Sequence, residues 1–70
     1  MYVIFTTGVG NDSGFSCETP ILEEGFNLCI GIERSVTTQI GSSIPVHIVD
    51  SETSEYGMYY NGGWTGTLTP

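Results

Sequence analysis

The stretch Phe26-Asn-Leu-Cys-Ile-Gly-Ile-Glu33 decides how this chain is read. Phe26, Leu28, Ile30 and Ile32 alternate with Asn27, Cys29, Gly31 and Glu33, which is the period-2 pattern of a strand with one apolar face. Outward from it, Val36 to Ile40 and Ile44 to Asp50 read as further strands, set off by Glu33-Arg34-Ser35 and Gly41-Ser42-Ser43. Three-residue turns keep the apolar sets together. They bring Ile32 beside Val36, Ile30 beside Thr38 and Leu28 beside Ile40, then Ile40 beside Ile44, Thr38 beside Val46 and Val36 beside Ile48. The expected unit is a three-stranded antiparallel meander, with Pro45 at an edge or bulge because it cannot donate to a ladder.

Toward the C-terminus, Asn61-Gly62-Gly63 between aromatic runs is the strongest hairpin signal. A three-residue loop there sets Tyr60 against Trp64, Met58 against Gly66 and Tyr56 against Leu68 on one apolar face, and leaves Tyr59 exposed on the other with Thr65 and Thr67. Toward the N-terminus, Tyr2 to Thr7 is a strand, Gly8 to Gly14 a long loop and Phe15 to Cys17 a weaker strand. Thr19 as N-cap, Pro20 at the first helical position and Gly25 after Glu24 frame one helical turn at most, near residues 20–24. The fold class expected is all-β: a single domain over residues 1–70, built as a small antiparallel barrel or two-layer sandwich of about six short strands.

Composition agrees with strands and turns. Alanine and lysine are absent, glycine occurs ten times, and Ser plus Thr sixteen times. At 70 residues, burial and chain entropy nearly cancel, so a disulfide, a metal or a partner subunit is the expected extra source of stability. Eight Asp and Glu face one basic residue, Arg34, for a formal charge of −7. Such a surface repels phosphate backbones, which sets direct nucleic-acid binding aside. The longest apolar run, Tyr2-Val3-Ile4-Phe5, is far short of the roughly 20 residues of a membrane span. Met1 leads straight into a β-like segment with no basic leader or cleavage site, so a cytoplasmic location, or a chain already processed, is expected. Cys17 and Cys29 could form one disulfide only in an oxidising compartment; in cytosol they read as two small buried hydrophobes.

Several constellations could carry chemistry. Cys29, His47 and Glu33 are the residue types of acyl transfer and share a face in this register, but Cys29 and His47 stand two strands, about 10 Å, apart. That is too far for a dyad, and it also weakens a zinc site from Cys17, Cys29 and His47. Asp50-Ser-Glu52-Thr-Ser-Glu55 alternates carboxylates and hydroxyls as calcium loops do, yet lacks their turn glycine and terminal bidentate Glu. Asn11-Asp12-Ser13-Gly14 reads as a turn, and Gly8, Gly10 and Gly14 lack the helix and lysine of a phosphate cradle. No catalytic set, cofactor or metal is expected.

What remains is a surface. Tyr56, Tyr59, Tyr60 and Trp64, interleaved with Gly and Asn, have the make-up of recognition surfaces. Together with Asp50, Glu52, Glu55, Glu23 and Glu24 they point to a non-enzymatic module that binds a protein partner with a basic surface. Its sharpest version is a small phage-type inhibitor, an anti-defence protein whose carboxylates stand in for phosphates in a nuclease groove. The alternatives are a structural or assembly subunit of the virion-component type, forming a homo-oligomer through edge strands, and a module that sequesters a small ligand between tyrosines.

Overall fold

Leu22, Phe26, Cys29, Ile32, Val36 and Ile40 recur at intervals of three and four, and this stripe folds as a helix. In a computed structural model, which describes residues 1–7 and 14–70, the order is β1 (Tyr2–Thr6), β2 (Phe15–Thr19), α1 (Leu22–Ile40), β3 (Val46–Asp50), β4 (Tyr56–Tyr60) and β5 (Gly63–Gly66). The strands form one antiparallel sheet in the order β2-β1-β3-β4-β5, and α1 packs across one face of it.

The all-β expectation is therefore corrected. Residues 26–40 are the body of a 19-residue helix rather than two strands of a meander, and the sheet ends on β2 and β5 without closing into a barrel. Two periodicities compete in Phe26 to Glu33, and only the period of 3.6 extends in both directions. Glu33-Arg34-Ser35 carries no glycine, proline or Asn-Gly pair that would force a turn. Glu23 and Glu24 lie in the first turn, where carboxylates offset the helix dipole. Thr19 does not cap the helix directly; its hydroxyl accepts the Ile21 N–H at 3.2 Å, Pro20 precedes the helix, and Gly25 is buried inside it. Gly41 ends the helix at φ 75°, donating its N–H to the Thr37 carbonyl at 2.8 Å.

The β-branched run at the helix end is held by side chains. Thr37 donates to the Glu33 carboxylate at 2.7 Å and Thr38 to the Arg34 carbonyl at 2.9 Å. Ser43 donates to the same carboxylate at 2.9 Å and accepts the Asn61 N–H at 3.2 Å, tying the helix to the β4–β5 turn.

The core lies between helix and sheet, where Ile4, Val46, Ile48 and Cys29 are fully buried and Phe26 and Leu68 nearly so. Phe26 meets Trp64 edge-on with ring centroids 5.1 Å apart. Gly25 lets the helix approach closely: a Cβ there would stand 2.8 Å from Ile48 Cδ1. The N-terminal and C-terminal strands fall where the sequence places them. β3, however, begins just after Pro45 and is a central strand between β1 and β4.

Candidate functional site

Because successive strand residues point to opposite faces, the register fixes what the helix does not cover. On the helix face stand Ile4, Cys17, Thr19, Val46, Ile48, Gly57, Tyr59 and Trp64. On the opposite face one row across the sheet reads Ser16, Phe5, His47, Met58, Thr65, and the next reads Glu18, Val3, Val49, Tyr56. Tyr60 stands further along the same face. No element of the described chain packs over Val3, Phe5, His47, Val49, Tyr56 and Met58; they are half-buried by one another, with Tyr56 at 40 % exposure.

At the centre of this face three rings stand nearly parallel. Phe5 and His47 stack with centroids 4.9 Å apart, and His47 and Tyr56 at 5.8 Å, with interplanar angles of 25° and 22°. His47 Nδ1 and the Tyr56 hydroxyl are 2.7 Å apart, while Nε2 makes no hydrogen bond among the described residues. Burial between the rings pushes the imidazole pKa below its usual value of 6.5 and favours the neutral ring.

One end of the sheet is acidic. β2 ends at Thr19, paired with Tyr2, which pairs in turn with Asp50, so the start of α1 and the β3–β4 turn share that end. Glu18, Glu23, Glu24, Asp50, Glu52 and Glu55 gather there, six of the eight carboxylates. The turn is tightly closed: Asp50 N–H donates to the Glu55 carbonyl at 2.9 Å and Ser54 N–H to the Asp50 carbonyl at 2.8 Å. The Asp50 carboxylate accepts the Glu52 N–H at 2.9 Å, which holds its pKa below the usual 3.8. Arg34 lies about 18 Å up the helix from Leu22, away from this pole.

The residues singled out in the sequence divide between two sides. Tyr56 and Tyr60 are on the open face, and Glu52 and Glu55 border it. Tyr59 and Trp64 are not on that face; they pair on the helix side, with ring centroids 4.7 Å apart, and pack against the core. This reverses the expected exposure of Tyr59. The hairpin turn has two residues, Asn61 at φ 51° and Gly62 at φ 84°, so Tyr60 pairs with Gly63 and Tyr59 with Trp64, and every side chain of β4 changes face while Trp64 keeps the core side. Phe5 and Met58 were missed as surface residues; their signal was the alternation within β1 and β4, legible once the strands were paired in this order.

The acyl-transfer set is taken apart by the fold. Cys29 is buried on the helix side, His47 is on the opposite face, and Glu33 is engaged by Thr37 and Ser43. Burial, with Cys17 nearby, pushes the Cys29 thiol up to about 11. Cys17 and Cys29 are both free thiols, and no metal-holding cluster of His, Cys, Asp or Glu exists among the described residues. Gly8, Gly10 and Asn11-Asp12-Ser13 lie outside the described residues. An apolar groove lined by Phe15, Ile32, Ser35, Val36 and Gln39 carries no charged or titratable side chain. No helix among the described residues is long and apolar enough to cross a membrane.

Comparison of the chain with known protein families, with curated proteins and with solved structures finds no match.

Proposed function

We propose that this chain is a non-enzymatic binding module that docks its open sheet face and adjoining acidic pole onto a basic surface of a partner protein, in the cytosol. The observation that carries this reading is a face that no described element covers: Val3, Phe5, His47, Val49, Tyr56 and Met58 form a contiguous apolar and aromatic surface bordered by Glu18, Glu52 and Glu55. Rings supply the anchor, and a net charge of −7 supplies steering toward a positive partner. Like charge disfavours a second copy on the same face. The free edges do little for assembly either, since β2 carries Glu18 and β5 is four residues long with glycine at both ends. The gathering of carboxylates at one pole also favours the inhibitor version, in which they occupy a groove that otherwise holds phosphates.

The test is capture of a basic protein from the source cells on immobilised protein. Retention is expected to fall steeply as salt rises from about 50 to 500 mM. It should be lost with Met58→Glu on the face and reduced at least severalfold with Glu52→Gln/Glu55→Gln. Capture indifferent both to salt and to Met58→Glu would overturn the reading, and a stable oligomer by light scattering would favour the assembly alternative.

A further inference from the structure

We propose that the Phe5–His47–Tyr56 column is the seat of a partner arginine, whose guanidinium lies against the rings and donates one N–H to His47 Nε2. The inference rests on the docking reading above and names the group that the centre of the face recognises.

Three observations lead to it. The rings are nearly parallel and stacked, so the column leaves the outer faces of Phe5 and Tyr56 for a planar cation while the edge of His47 stands between them. Guanidinium is planar, weakly hydrated and rich in donors, whereas ammonium is a compact and strongly hydrated point charge. Second, Tyr56 engages Nδ1 and no described residue engages Nε2. The seat takes the tautomer in which Nδ1–H donates to the Tyr56 oxygen, so that Nε2 of the neutral ring is left to accept one donor. Third, the chain's one Lys or Arg side chain does not compete for the place: Arg34 is on the helix, across the sheet. Steering carboxylates stand nearby, Glu18 on the face itself and Glu52 and Glu55 beyond Tyr56.

Protonation of His47 would fill the Nε2 lone pair and add a positive charge, so the seat requires the neutral ring. The groups that face His47 are few. β1 presents Phe5, β4 presents Tyr56 and Met58, and the nearest carboxylate on the face, Glu18, is two strands away, about 10 Å. Acid therefore acts on the ring directly. Burial already lowers its pKa from the usual 6.5, so the seat stays intact at neutral pH and is lost only on acidification.

The experiment titrates the full chain with acetylated hexa-arginine amide and hexa-lysine amide, following side-chain signals by NMR at about pH 7.5 and about pH 5. Hexa-arginine is expected to bind at least threefold more tightly at the higher pH, shifting the Phe5, His47 and Tyr56 rings. That preference should shrink toward unity at the lower pH, with hexa-lysine reporting the part due to carboxylates alone. His47→Ala should remove the arginine preference and leave hexa-lysine binding unchanged. His47→Gln, which keeps an acceptor but does not titrate, should retain the preference at both pH values. The backbone spectrum of each variant shows that the sheet is intact. Equal affinities with shifts on the open face would overturn the arginine seat and leave the docking face standing. Shifts confined to residues 18–24 and 50–55 would overturn both.

Discussion

Gly57 is where the C-terminal tail closes the core. Thr67 and Leu68 both donate their N–H to the Tyr56 carbonyl, at 2.9 and 3.0 Å, and this fold-back drops the Leu68 side chain to 6 % exposure. A Cβ on Gly57 would run into the Leu68 carbonyl oxygen, and backbone cannot yield there without giving up those two bonds. Gly57→Ala is expected to cost more than about 2 kcal/mol, a large share of the stability of so small a domain. Gly63 is the matched control on the neighbouring strand: a Cβ there would meet nothing nearer than the Tyr60 carbonyl at 3.7 Å, and Gly63→Ala should stay within about 0.5 kcal/mol of the parent. Urea unfolding separates the two through the midpoint at constant slope. Equal midpoints would mean that the tail does not pass over Gly57 as described.

At the scale of elements the helix is both the main departure from expectation and the part most open to improvement. Gly31 sits on its exposed side, and a methyl group added there would meet nothing within 4 Å, so the residue supplies flexibility with no packing need behind it. Gly31→Ala should raise stability by about 0.5–1 kcal/mol, read as a higher thermal midpoint; a fall would place that position against a neighbour. The same element shows what was legible in the sequence. β1, β2, β3 and the β4–β5 hairpin could be read from alternation and turn residues because each is short, bounded and locally specified. Phe26 to Ile40 could not be read in the same window. Leu28 and Ile30 complete an apparent strand alternation over eight residues, although in the helix both are only half-buried beside the buried Phe26 and Cys29. Val36, Thr37, Thr38 and Ile40 are β-formers by propensity, and bonds from Thr37 and Thr38 back to the preceding turn hold the helix where propensity does not. Of the site, the acidic residues were legible by composition. The faces of the tyrosines were not, because Asn61-Gly62 forming the turn without Gly63 moves Tyr59 inward and Tyr56 and Tyr60 outward.

At the scale of the molecule, charge and shape pull in opposite directions. Six carboxylates share one end of a body with a radius of gyration of 11.4 Å, and the sole arginine stands well up the helix, so the folded chain concentrates a repulsion that the unfolded chain disperses. Screening relieves it, since the Debye length falls from about 30 Å at 0.01 M salt to about 3 Å at 1 M. Sodium chloride raised from about 0.01 to 0.5 M is therefore expected to stabilise the fold by up to roughly 1 kcal/mol, or about 7 °C in thermal midpoint for a chain of this size. Glu52→Gln/Glu55→Gln, which thins the pole without touching the first helical turn, should reduce that response by about a third or more. Calorimetry across the salt series checks both, and a flat midpoint would show that the carboxylates do not act on one another. Attraction to a basic partner moves the other way over the same range, so one salt titration read by calorimetry and by binding should give trends of opposite sign. A purely apolar docking face would instead hold or gain affinity with salt, which makes the sign of the binding trend the test of whether the acidic pole takes part in recognition.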